Sequence, residues 1–211
     1  MFTSALSPEG QSVLELLSRK VIGNTYYLAG GTAVALQLGH RISEDLDFFT
    51  GEPFATTVLK LRIQEAGVFE LPDERWGTLH GIFNGIKVSF LYYKYPLLFP
   101  PVSFLGASVA QIKDLAPMKI EAIASRGSRK DFYDLYFINR EVVSLKECLK
   151  LYCQKYAGVN FSLYHILRSL TYFLDAEKEK DPVLLKPVKW EEIKRHFAEL
   201  TPRLTDLFLS L

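Results

Sequence analysis

The sequence predicts an α+β protein: a small mixed sheet with flanking helices, followed by a C-terminal helical bundle. Three observations carry this. Strand-like and helix-like segments alternate from Ser7 to Ala66. Two alternating runs then flank Asn84-Gly85, a dipeptide that accepts the two positive φ angles of a type I′ hairpin turn. Beyond Ser108 only helical periodicity remains. The join falls near Phe99 to Ser108, which gives an α/β core over 1–105 and a helical domain over 106–211 packed against it.

Each element has a local reason. Ser7 to Arg19 carries Val13, Leu14, Leu16 and Leu17 at helical spacing. Tyr26 to Ala29 is a short strand stopped by Gly30-Gly31, and Thr32 to Leu38 is a compact apolar helix. Glu44 to Phe49 forms a second strand, and Phe54 to Ala66 a helix closing at Gly67. Thr78 to Phe83 and Ile86 to Tyr92 are the hairpin strands. Ser108 caps a short helix to Leu115. Pro117, whose missing N–H costs nothing in a first turn, opens a separate helix from Met118 to Arg126. Ser128, with Asp131 three residues on, resembles a capping box for Arg129 to Asn139. Ser144 to Tyr156, Ser162 to Lys178 and Trp190 to Leu200 complete the bundle. The stripe Leu163, Ile166, Leu167, Leu170, Phe173, Leu174 reads as core.

Composition bounds the function. Hydrophobic residues at 48% and charged residues at 23% exclude disorder as the main state. A net charge of +1, from 25 basic and 24 acidic residues, opposes a broad basic surface for nonspecific nucleic-acid binding. Cys148 and Cys153 share one segment with no His or Cys partner and read as reduced thiols of a cytoplasmic protein. No stretch approaches the roughly 18 apolar residues of a membrane span, and the first residues lack a signal-peptide pattern. His40, His80, His165 and His196 show no metal-ligand spacing and pair with no Ser or Cys nucleophile. Phe90 to Tyr95 reads as packing, and Lys186 to His196 as a mixed charged surface.

The chemistry concentrates in Asp45-Leu46-Asp47-Phe48. In a strand, Asp45 and Asp47 face one side while Leu46 and Phe48 face the core. Carboxylates at i and i+2, with Cα atoms on the order of 6.5 Å apart, can reach one divalent cation. Alone, the pair reads equally well as a solvated strand face or a helix cap. Upstream, Gly30-Gly31-Thr32 lies where a strand becomes a helix, and there glycine lets phosphate approach the backbone N–H groups. Strand, Gly-Gly turn, helix and Asp-x-Asp strand together suit a nucleotide–magnesium complex.

Leu28-Ala29-Gly30-Gly31-Thr32-Ala33 through His40-Arg41-Ile42-Ser43-Glu44-Asp45-Leu46-Asp47-Phe48-Phe49 resembles the AbiEii/AbiGii-type toxin family, a branch of the DNA polymerase β-like nucleotidyltransferase fold. A second block is similar to that family's Lys-x-x-Ala and Arg-x-x-x-(Arg/Lys)-Asp-x-x-Asp-Leu stretch. It runs Met118-Lys119-Ile120-Glu121-Ala122, then Arg126, then Arg129-Lys130-Asp131-Phe132-Tyr133-Asp134-Leu135.

The resemblance covers roughly residues 20 to 140. It implies a magnesium- or manganese-dependent transfer of a nucleoside monophosphate from an NTP to a hydroxyl of a macromolecule such as tRNA, and a cognate antitoxin partner. Asp45 and Asp47 would be the catalytic metal ligands. Gly30, Gly31, Thr32, Lys119, Arg126 and Lys130 would bind nucleotide, and Arg41 and Ser43 would touch phosphate or orient Asp45; Asp131 and Asp134 either join the site or only fix the Lys and Arg side chains.

The third carboxylate expected from a later strand is absent, with Ser89 at its position. A neutral hydroxyl is a poor base and a poor metal ligand. A catalytically weakened nucleotide-binding protein of the same fold is therefore the alternative.

Overall fold

Seven strands form one mixed sheet in the order β3-β4-β5-β2-β1-β7-β6 in this computed structural model, which describes residues 1–209. Residues 210 and 211, the end of the expected helical span, lie outside the described residues. The strands are β1 (Tyr27–Ala29), β2 (Leu46–Thr50), β3 (Phe69–Arg75), β4 (Thr78–Phe83), β5 (Ile86–Tyr92), β6 (Val102–Phe104) and β7 (Ala107–Val109). β2 runs parallel to β5, and β1 parallel to β7; the other neighbours are antiparallel. Helices α1 (Pro8–Leu17), α2 (Gly30–Leu38) and α3 (Thr56–Ala66) belong to the same unit, Met1–Gln111. The fold is α+β, as the alternation of element types implies.

The hairpin β4–β5 has the boundaries expected from sequence, with φ +47° at Asn84 and +83° at Gly85. Three strands were not legible. β3 is an edge strand with six of its seven residues exposed, so it shows no alternation, and Pro72 interrupts it. Pairing with β4 holds it extended, and the register shift between Glu70 and Asp73 blunts its free edge. β6 and β7 are three residues each, too short for a periodic signal. Ser108 therefore lies in a strand rather than capping a helix. Because β7 pairs with β1, the first unit continues to Gln111, six residues beyond the expected 105.

The second unit, Ile112–Leu211, is helical: α4 (Ile112–Arg126), α5 (Arg129–Glu141), α6 (Leu145–Lys155), α7 (Leu163–Ser169) and α8 (Trp190–Leu209). α4 is one helix and not two, because it runs through Pro117. The lost N–H bond to Lys113 is offset by burial of Ile112, Leu115, Ala116, Ile120 and Ile123. The expected capping box at Ser128 does not form. Glu179 Oε2 instead accepts from the Ser128 hydroxyl at 2.8 Å and the Arg129 N–H at 2.9 Å, capping α5 from fifty residues away.

The helix expected over 162–178 also ends early, at Ser169, and Leu174 is exposed rather than core. The chain turns there so that Phe173 can pack with Phe132 and Trp190. Phe132, Trp190 and Phe197 are buried around this cluster, and the fully buried Lys155–Asp114 pair, 2.9 Å apart, ties α6 to α4. Among the described residues no helix is long and apolar enough to cross a membrane.

Candidate active site

In β2 the residues alternate in burial, so that Leu46, Phe48 and Thr50 are buried while Asp47 and Phe49 are half-buried. The same alternation continues back to the half-buried Asp45, which precedes the strand by one residue. The strand begins two residues later than the sequence suggests because the chain before it is committed elsewhere. Ser43 N–H donates to the Ala5 carbonyl at 2.8 Å, and Leu6 and Ser43 form an isolated parallel bridge.

Strand register assembles a transverse row on the face that carries Asp47. Ala29 on β1 pairs with Asp47, Asp47 with Ser89 on β5, Ser89 with His80 on β4, and His80 with Asp73 on β3. Directly paired residues share a face, so Ser89 stands beside Asp47 where the sequence argument puts it. His80 comes next, which no spacing rule in the sequence reveals. Its neighbourhood depends on a pairing between β4 and β5 and another between β5 and β2.

Gly30 joins β1 to α2 with φ +66°, a conformation in which an L side chain is strained. A Cβ there would stand 2.6 Å from Asp47 Oδ2. The glycine thus does two things: it turns the strand into the helix, and it leaves space for the carboxylate. Gly31 is half-buried in the first turn of α2. Gly30→Ala is expected to displace the Asp47 carboxylate as well as strain the turn by about 1–2 kcal/mol. A melting temperature lowered by a few degrees, together with at least a ten-fold loss of any Asp47-dependent activity, would check it; equal activity would refute the close-approach argument.

Thr32 is expected to meet phosphate through its hydroxyl, and Ser43 either to touch phosphate or to orient Asp45. Both are buried, with their oxygens 2.7 Å apart, and Thr32 Oγ1 also donates to the Asp45 carbonyl. A threonine has one hydroxyl proton, so Ser43 must be the donor of the shared bond. Both protons are committed inside the protein, and their effect is to tie α2 to the backbone of Asp45. Arg41 is also buried and donates to the Ile42 carbonyl at 3.0 Å, within the same loop.

Among the described residues no three His, Cys, Asp or Glu side chains gather as a metal cluster. Two carboxylates are nevertheless a sufficient protein share for Mg²⁺, which commonly takes one or two carboxylates and completes its shell with phosphate oxygens and water. Asp47, half-buried and seated against Gly30, and the half-buried Asp45 are the two carboxylates that would supply that share.

The second sequence block forms a separate cluster within the helical unit. Lys119 Nζ lies 2.8 Å from Asp131 Oδ1 and 2.6 Å from Asp134 Oδ2, with side-chain exposures of 5%, 1% and 0%. Arg126 closes on Asp131 through Nε at 2.8 Å and Nη2 at 3.0 Å, although its own side chain is 64% exposed. Burial alone would raise the Asp131 pKa; the Lys119 ammonium and the hydrogen-bonded Arg126 guanidinium outweigh it and hold the carboxyl below the usual range. Asp131 thus holds both Lys119 and Arg126, and Asp134 holds Lys119. Lys130 is exposed.

The fold is shared with nucleotidyltransferases. The structure aligns with a protein of H. pylori assigned as a nucleotidyltransferase (TM-score 0.57, 16% identity, 95% of this chain and 93% of that one). It also aligns with MenT4, a nucleotidyltransferase toxin of Mycobacterium tuberculosis H37Rv (TM-score 0.60, 19% identity, 93% and 81%). Residues 12–208 match the family described as the nucleotidyl transferase AbiEii toxin of type IV toxin–antitoxin systems, and the chain belongs to that family. An uncharacterized protein of Aquifex aeolicus (strain VF5) is 42% identical over 199 residues, covering 91% of this chain and 94% of that one.

Proposed function

We propose that this protein transfers a nucleoside monophosphate from an NTP to a hydroxyl of a macromolecular acceptor, with tRNA as the leading candidate. In this reading the reaction depends on Mg²⁺ or Mn²⁺, takes place in the cytoplasm, and is restrained by a cognate antitoxin. The observation that carries it is the seating of Asp47 over the Gly30 turn, with the adjoining Asp45 backbone tied to α2 by Thr32.

Asp45 and Asp47 would hold the cation. Once bound, it would draw charge from the triphosphate as the bond to pyrophosphate breaks. Gly30 and Gly31 offer backbone approach at the start of α2, where a helix N-terminus favours phosphate. Thr32, Ser43 and Arg41 act as positioning residues for the loop that delivers Asp45. Arg126 and Lys130, both exposed, supply positive charge for phosphate within the helical unit, and Lys119 sets the geometry of Arg126 through Asp131.

The acceptor oxygen attacks the α-phosphorus, pyrophosphate leaves, and the hydroxyl proton needs a base. Ser89 cannot take it at neutral pH. His80, next in register, is the candidate for that role, its backbone two strand spacings, about 10 Å, from that of Asp47. His80→Ala is expected to lower kcat at least about ten-fold while NTP affinity stays within two-fold; an unchanged kcat would remove His80 from the reaction.

Ser89 also favours a second reading, a nucleotide-binding protein of the same fold with weakened chemistry. Incubation with each radiolabelled NTP, Mg²⁺ or Mn²⁺, and total RNA separates the two. Label in RNA supports the transferase. NTP binding without label in RNA or protein supports the second reading.

A further inference from the structure

A cleft of about 450 Å³ opens within the helical unit, between the C-terminal end of α4, α7 and the segment after it. Arg126, Arg168 and His165 face it, together with Tyr164 and Tyr172. Both tyrosines keep about half their surface in solvent, at 54% and 51%. Such large rings contribute little to folding there, and two in one concave wall are a flat apolar surface awaiting a partner. Tyr164 and Arg168 stand one helical turn apart, with the guanidinium 5.8 Å from the ring centroid. Asp175 is the acidic residue of the wall and pairs with Lys178 at 2.9 Å, as Arg126 pairs with Asp131, so Arg168 carries the wall's positive charge. The cleft is therefore cationic and aromatic together.

Each simpler ligand leaves part of this wall unused. A bare phosphate would engage Arg168 and ignore the rings. An apolar molecule would cover the rings and lay apolar surface against the Arg168 guanidinium. One chemistry answers both: a flat heteroaromatic base joined to a phosphate, and the volume suits a single nucleotide. We propose that this cleft binds a nucleotide unit, the base stacked on Tyr164 or Tyr172 and the phosphate on Arg168, presented as an unpaired nucleotide of the RNA acceptor. The nucleotide site stands on the geometry of the cleft; only its assignment to the acceptor rests on the function proposed above.

The test is fluorescence anisotropy of a labelled single-stranded RNA 12-mer in EDTA, which silences metal-dependent NTP binding at the Asp45–Asp47 pair. The double variant Tyr164→Ala, Arg168→Ala should weaken binding roughly ten-fold or more, and Tyr164→Phe, which keeps the stacking face, should bind like wild type. Both side chains are exposed, so the melting temperature should hold. Unchanged affinity in the double variant, or no binding by wild type, overturns the site. Competition by AMP as effective as that of unlabelled 12-mer overturns the RNA assignment and makes the ligand a free nucleotide. Failure of label transfer with RNA binding intact would indict the proposed reaction and leave the cleft standing.

Discussion

Asp45→Asn and Asp47→Asn should each reduce nucleotidyl transfer by about a thousand-fold, equivalent to about 4 kcal/mol of transition-state stabilisation. Asparagine keeps the shape of the side chain and one oxygen but removes the charge that opposes the cation. The expectation is specific to transfer because both aspartates are half-buried at a strand start and asparagine keeps the volume of each side chain. Asp47 is the stronger test, since Gly30 lies against its carboxylate and asparagine fits the same space. Single-turnover label transfer at saturating NTP, beside a thermal melt unchanged within a few degrees, is the measurement. Two variants that transfer as fast as wild type would move the metal site away from this strand.

Lys119→Met should be the most destabilising single change in the helical unit's charged cluster. As a nucleotide-binding residue, the role the family resemblance implies, Lys119 would tolerate truncation with little loss of stability. The structure reverses this: the ammonium sits between two carboxylates that are 1% and 0% exposed. Removing it takes the ammonium away from both buried carboxylates at once. Breaking a buried pair from one side costs about 3–5 kcal/mol, or a melting temperature lower by about 10 °C.

The cluster also predicts an acid limb. Asp131 releases its proton at lower pH in the folded protein than in the unfolded chain, so its contribution is fully present above about pH 4 and lost as the pH falls through the depressed value. Asp131→Asn should melt lower at neutral pH and lose less on acidification than wild type. Denaturation series from pH 7 to pH 3 would show it; parallel curves for the two proteins would contradict the assigned ion pairs.

How much could be read in advance depends on whether a residue's role is set by near or distant neighbours. The Asn84-Gly85 hairpin was legible because both its strands and its turn are written in consecutive residues. The Asp-x-Asp strand and the Gly-Gly turn were legible for the same reason: alternation fixes the face, and glycine marks the bend. Residues that act through distant partners were not. Thr32 looked like a phosphate contact until its hydroxyl was found on the Asp45 carbonyl, thirteen residues on. Ser128 looked like a self-sufficient cap until Glu179 supplied it.

The sequence by itself determined the α+β class, the hairpin, the acidic strand beside a glycine turn, and the family. Those are properties of local periodicity and short motifs, which a chain carries before it folds. The tertiary structure decided the row from Asp47 through Ser89 to His80, the burial of Lys119 and the aromatic, cationic cleft beside α7. Each of these joins segments far apart in the chain, and their energies arise only when burial strips water from groups that folding has brought together.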